Sequence, residues 1–161
     1  MNAPPRRDRR PIIIAAVAAT LVAMTGGLLT EIGPWYLALR KPAWQPPDWA
    51  FGPAWTVIFA LCAAAGAIAW REARDASARR LVIAGFAANA VLNVSWSYLF
   101  FTMRRPDLAL VEVAFLWLSV LALVLVLRRV SRRAGWLLVP YLAWVSFAAF
   151  LNHTIVKLNP A

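Results

Sequence analysis

The chain has 161 residues, of which 62% are hydrophobic and only 15% charged, and it carries a formal net charge of +10. Soluble domains lie near about 45–50% apolar and about 25% charged, so this composition excludes an ordinary water-soluble domain. It also argues against nucleic acid as a partner, because the arginines gather at the ends of apolar runs and do not spread over one polar face.

Residues 1–11 form a basic amino-terminal segment holding Arg6, Arg7, Arg9 and Arg10. Basic residues ahead of an apolar run resemble a signal peptide. This run is long enough to span a bilayer, however, and residues 25–30 lack a small-residue cleavage pattern, so a retained first helix is predicted. Residues 12–161 then read as one transmembrane domain. Five segments approach or exceed the roughly 17–25 residues that cross the hydrocarbon: 12–29, 53–70, 81–102, 108–127 and 135–156. Their uniform apolarity rules out half-solvated surface helices. Backbone groups in lipid must be satisfied within the segment, so the predicted fold is all-α, a polytopic bundle of five transmembrane helices. Cys62, the only cysteine, lies inside the second run; no intrachain disulfide is possible and a small buried thiol is expected.

Orientation follows from the basic residues. With the amino terminus cytoplasmic, that side collects twelve arginines, at 6, 7, 9, 10, 71, 74, 79, 80, 128, 129, 132 and 133. The other side holds five basic residues, Arg40, Lys41, Arg104, Arg105 and Lys157. The connector between the first two spans, the 104–107 turn and the carboxyl terminus therefore share the far side. Helical spans with this bias point to an inner membrane.

The connector, residues 30–52, is the unusual part. From 35 to 56 the chain packs four of its nine tryptophans (Trp35, Trp44, Trp49, Trp55) among Pro42, Pro46, Pro47 and Pro53. Proline removes a donor and pushes the preceding residue out of the α region, so a stiff, non-helical cover is expected. Indoles suit a place dry on one side and wet on the other, either an interfacial belt or the lid of an apolar pocket. The second span is predicted to open at Pro53 with Gly52 as its cap. Gly26 and Gly27 in the first span permit close helix contact or a bend. In the third span Ala84 and Ala88 form a small-xxx-small pair, which favours close association inside the bundle or across a homodimer interface.

Asn89, Asn93, Trp96 and Phe100 fall on one stripe of the third span. Amides at membrane depth are costly toward lipid, so they should face inward, to another helix or to a ligand. Glu112 is expected to be neutral, paired with Arg104 or Arg105, or bonded across the bundle. Pro140 deprives the Trp136 carbonyl of its donor and should bend the fifth span, where Trp144 lies too deep for a belt. With Trp55 and Trp96 it can line an aromatic cavity. His153, the sole histidine, has no partner at a metal-ligand spacing, and no metal site is expected.

These residues resemble the translocator protein family, the tryptophan-rich sensory proteins also known as peripheral-type benzodiazepine receptors. The resemblance is carried by Trp35-Tyr36, Lys41-Pro42-x-Trp44-x-Pro46-Pro47-x-Trp49, Gly52-Pro53-x-Trp55-Thr56, Asn93-x-x-Trp96 with Phe100-Phe101, and Pro140-Tyr141-Leu142-x-Trp144 through Leu151-Asn152. It implies a five-helix bundle, often a homodimer, with a pocket under the loop at 30–52. It implies a receptor or sensor of tetrapyrroles, protoporphyrin IX or haem, acting in tetrapyrrole metabolism or stress response; benzodiazepine-site drugs are ligands of the same family. The pocket it implies comprises Tyr36, Trp44, Pro46, Trp49, Trp55, Phe59, Asn93, Trp96, Phe100, Trp144, Ala148 and Leu151. A porphyrin is a flat disc with two carboxylates, so indoles would stack on its faces and Arg40 or Lys41 would engage its propionates.

Two alternatives stand beside this one. A porphyrin transporter is disfavoured by a helix count that does not divide into paired repeats. An enzyme is disfavoured because no metal cluster, activated nucleophile or phosphate-cradling loop is present, although light-dependent porphyrin degradation, reported for some members, stays open. The proposed sterol pattern of animal members is incomplete, with His153 where its tyrosine would fall between Leu151 and Lys157, so sterol binding should be weak.

Overall fold

A computed structural model describes residues 8–160, so Arg6 and Arg7 of the basic amino-terminal segment lie outside the described residues. The elements are α1 (Arg10–Leu29), α2 (Pro34–Ala38), α3 (Phe51–Glu72), α4 (Ala76–Ser97), α5 (Pro106–Val130), α6 (Arg132–Leu137) and α7 (Val139–Leu158). No strand occurs among the described residues, and five helical stretches are long and apolar enough to cross a membrane. This is the predicted all-α bundle.

Local chemistry explains the helix ends. Proline stands in the first two positions of α1, α2, α5 and α7, where its missing N–H costs nothing. Asp75 caps α4 by accepting from the Ala78 N–H at 2.8 Å, and Ser131 caps α6 through Ala134. Two expectations are corrected. A 3₁₀ turn over Asp48–Ala50 leads into α3, which therefore starts at Phe51, two residues before Pro53, with Ala50 and not Gly52 as cap. Pro53 is still within the first turn, whose N–H groups lack helical partners anyway. The fifth span is interrupted at the single residue Leu138, whose φ −91° and ψ −6° stay in the right-handed helical region, and α7 resumes with Pro140 in its first turn.

The centre of the bundle is α5. Leu116, Val120, Leu123, Val124 and Leu127 are buried against Ala65 and Ala69 of α3 and Leu138, Tyr141 and Val145 of the last span. Small residues set the spacing. A Cβ added at Gly85 of α4 would lie 2.8 Å from Leu123 Cδ2, so α4 rests directly on α5. Helix α1 contributes no buried residue and lies at the margin.

Long-range bonds define the two ends. Arg40 and Asn159 exchange backbone–side-chain hydrogen bonds of 2.9 Å, and Asn152 donates to the Pro106 carbonyl at 2.9 Å. The connector, the α4–α5 turn and the carboxyl-terminal end of α7 therefore lie together, as the basic-residue count predicts. The α4–α5 turn itself passes through Arg104 in the left-handed region, φ 53°.

Candidate functional site

At this end the bundle holds a cavity of about 500 Å³. Its floor and walls come from α1, α3, α4, α5 and α7, and its cover from Ile32, Tyr36, Gln45, Asp48 and Trp49 of the connector. Two aromatic walls result. On one, Trp55 stacks on Phe59 at 5.5 Å and meets Trp144 edge-on at 6.3 Å, and Trp144 meets Phe51 at 5.8 Å. On the other, Trp96 stacks on Phe100 at 5.1 Å, and Phe100 contacts Phe101 at 4.8 Å.

The second wall depends on an irregularity. After Ser97 the α4 backbone widens into a π turn over Tyr98–Thr102, closed by the Met103 N–H on the Tyr98 carbonyl at 2.9 Å. Such turns carry an extra residue, which brings both Phe100 and Phe101 to the cavity.

A polar network holds the helices behind the walls. Tyr141, 1% exposed, donates to Asn89 Oδ1 at 3.2 Å and accepts from Asn93 Nδ2 at 3.1 Å. Asn89 donates in turn to Ser119, and Trp96 donates through Nε1 to Asn152 Oδ1 at 3.2 Å. Interhelical bonding therefore accounts for Asn89, while Asn93 both bonds Tyr141 and lines the cavity. Glu112 is buried and neither oxygen has a hydrogen-bond partner among the described residues. Arg105, one partner considered for it, is paired with Asp107.

Of the residues singled out in the sequence, Tyr36, Trp49, Trp55, Phe59, Asn93, Trp96, Phe100, Trp144, Ala148 and Leu151 line the cavity. Four do not. Trp44 stacks on Phe150 at 5.1 Å on the outside of α7 and latches the cover there, and Pro46 does not reach the wall. The Arg40 backbone is tied to Asn159, and the Lys41 ammonium sits 3.7 Å from the centroid of the Tyr36 ring. Neither lines the cavity. Ala84 and Ala88 lie on the exposed side of α4, and His153 is exposed on α7.

Other liners went unassigned, among them Gln45, Asp48, Ser97, Phe101 and Asn152. Ser97 follows Asn93 by one turn on the inward stripe, a signal already present in the period. Gly26 and Gly27 line the cavity too: an added Cβ at Gly27 would meet nothing within 4 Å, so that glycine widens the space, while at Gly26 it would touch Ser97 Oγ of α4 at 3.8 Å.

The cover is held by a closed ring of bonds. The Tyr36 hydroxyl donates to Asp48 Oδ1 at 2.9 Å, and Gln45 Nε2 reaches the same oxygen at 3.2 Å and the Tyr36 hydroxyl at 3.3 Å. Burial, with the carboxylate of Asp48, pushes the Tyr36 hydroxyl from 10.0 up to about 12. A raised folded-state value means that this bond's contribution is complete below about pH 10 and is lost as pH climbs toward about 12. Ultraviolet difference titration should show a tyrosinate ionising near about 12 that is lost in Tyr36→Phe; ionisation of that group near 10 would contradict the closed ring.

A multi-pass membrane protein with an aromatic cavity under a tryptophan- and proline-rich cover is the class these features define. The chain matches the TspO/MBR family over residues 13–158. It is 42% identical over 126 residues to the tryptophan-rich protein TspO of Chlorobaculum tepidum, covering 78% of this chain and 80% of that one. It is 36% identical over 149 residues to the tryptophan-rich sensory protein of Cereibacter sphaeroides (92% and 91% covered). It is 35% identical over 156 residues to the translocator protein of Sus scrofa (92% of each). The chain belongs to the TspO/MBR family.

Proposed function

We propose that the protein is a membrane receptor or sensor that binds a tetrapyrrole, protoporphyrin IX or haem, in this cavity and acts in tetrapyrrole metabolism or a stress response. The observation that carries the reading is the pair of aromatic walls around about 500 Å³, inside the roughly 300–1,000 Å³ range of small-molecule sites. A flat macrocycle can lie against the ring faces and edges these walls present; an indole or phenyl face offers it a large apolar contact with preferred stacking geometry. The decisive experiment is a titration of the purified protein with protoporphyrin IX, haem and cholesterol, followed through indole fluorescence and porphyrin absorbance. Saturable binding of a tetrapyrrole, with cholesterol weaker, supports the reading; no saturable tetrapyrrole binding refutes it. Vesicle uptake separates the receptor from a porphyrin transporter, since a receptor gives no accumulation.

The exposed Ala84 and Ala88 support a homodimer through α4, since small side chains let helix backbones approach closely. Ala84→Leu should halve the particle mass in mild detergent, and an unchanged mass would rule this face out. The arginine bias supports a cytoplasmic amino terminus in a bacterial inner membrane, which protease access to the carboxyl terminus from the outer face would test.

A further inference from the structure

Among the residues that border the cavity, exposure is confined to one side. Gly27 near the end of α1, Ile32 and Trp49 of the connector, and Gly52 and Thr56 in the first two turns of α3 are exposed. Every bordering residue from α4 with its π turn, from α5 and from α7 is buried or half-buried, although it faces the same space. Exposure therefore marks where the cavity meets its surroundings. That place is the gap between the connector-side ends of α1 and α3.

These two helices are close farther along and open here. A Cβ added at Gly66 of α3 would lie 3.9 Å from Ala15 Cβ of α1, whereas one added at Gly27 or Gly52 would meet nothing within 4 Å. Two missing side chains leave the gap unfilled.

The surroundings are apolar. Gly27 stands two residues before the end of α1 and Thr56 five residues into α3. At a rise of 1.5 Å per residue they lie about 3 Å and about 8 Å inside the spanning helices. Their chain neighbours Leu28 and Val57 are 86% and 59% exposed, as side chains turned to lipid are. The five exposed bordering residues carry no charge, and the Thr56 hydroxyl donates to the Gly52 carbonyl of its own helix at 2.9 Å. An apolar molecule crossing such a rim breaks no hydrogen bond, whereas a hydrated charge would have to shed water there.

We propose that this gap is a lateral mouth, through which the cavity exchanges its ligand with the hydrocarbon of the bilayer. The cover then need not lift, and the ligands that reach the site are planar apolar molecules already dissolved in the membrane. The choice of a porphyrin as first probe rests on the tetrapyrrole reading; the mouth itself does not.

The test uses the full chain in lipid nanodiscs and protoporphyrin IX dimethyl ester, which partitions into lipid, with rates read by stopped-flow indole quenching. Gly27→Phe should slow association and dissociation alike, by about tenfold each, and leave Kd within about twofold, because a raised barrier to passage acts equally in both directions. Leu28→Phe adds its ring one residue along, outside the cavity border, and should leave both rates unchanged. Unchanged rates in Gly27→Phe would overturn the mouth. So would weaker binding through faster dissociation alone, since residue 27 would then touch the bound ligand and not its route. Should Gly27→Phe fail to fold, Thr56→Phe obstructs the same gap from the facing helix and is read in the same way. If the ester does not bind, the tetrapyrrole reading falls, and the same rates are measured with pyrene, a flat hydrocarbon, as the probe. A separate measurement needs no ligand. Cys62 is the only native cysteine and is buried, so a nitroxide can be attached at Thr56→Cys alone. Its relaxation should respond more to dissolved oxygen, which concentrates in lipid, than to a water-soluble nickel chelate. A stronger response to the chelate would mean that the gap opens to water, and the proposal would fall.

Discussion

Replacing Trp55 and Trp144 together with alanine should lower tetrapyrrole affinity by roughly 30-fold or more while the bundle stays folded. The two rings come from α3 and α7, meet at 6.3 Å, and form one wall with Phe59 and Phe51. Stacking of a flat π-system on an aromatic side chain is worth about 1–3 kcal/mol per contact, so losing two removes about 2–6 kcal/mol. Both rings are half-buried and border existing empty space, so their removal enlarges the cavity more than it breaches the core. The conservative pair Trp55→Phe and Trp144→Phe keeps the wall and should lose much less. Indole quenching by Trp49 and Trp96 remains as the readout, and circular dichroism checks the fold. Unchanged affinity in the alanine variant would remove these two rings from the binding surface.

Gly135→Leu should be the most damaging single substitution for stability. A Cβ at this position would lie 2.1 Å from Arg128 Cγ and 3.0 Å from both the Arg128 backbone nitrogen and the Val124 carbonyl oxygen. The arginine stem can move aside, but the two α5 backbone atoms cannot. Helix α6 would have to lift away, uncovering buried Ala134 and Leu138, and overpacking of this kind costs about 3 kcal/mol at the upper end of its usual range. For a chain of this size that lowers the thermal midpoint by about 6–12 °C. Gly27→Ala is the matched control, because its added Cβ meets nothing within 4 Å and alanine is the better helix former by about 1 kcal/mol. Equal midpoints for Gly135→Leu and the parent would mean that α6 does not rest on the α5 backbone.

Sequence and structure carry two kinds of information. The spans were legible because lipid imposes a simple rule: a long apolar run must satisfy its own backbone, and only a helix does so. The inward stripe was legible for a similar reason, since Asn89, Asn93, Trp96 and Phe100 recur with the helical period and all four are buried or half-buried. The cover was only half legible. Prolines and indoles announce a stiff segment, but the direction of each side chain there is set by contacts with residues far along the chain. Trp44 points outward because Phe147 and Phe150 offer it a surface, and Arg40 is held by Asn159. No local period encodes such partners. The π turn was invisible for a different reason, being one added residue within an otherwise helical stretch. Asp48 was passed over because a charge in a connector ordinarily belongs to water; its bond to Tyr36 across twelve positions places it in the cavity instead.

Ligand binding as proposed depends on one arrangement, in which indoles from α3, α4 and α7 and the cover surround a shared ligand. The most direct measurement is photocrosslinking with a diazirine-bearing porphyrin in nanodiscs, followed by peptide mapping. Labels on Trp55, Trp96, Trp144 and neighbouring cavity residues, lost on competition with unmodified porphyrin, are the predicted result. Labels confined to outward-facing residues such as Trp136 and Phe115, with no competition, would contradict it.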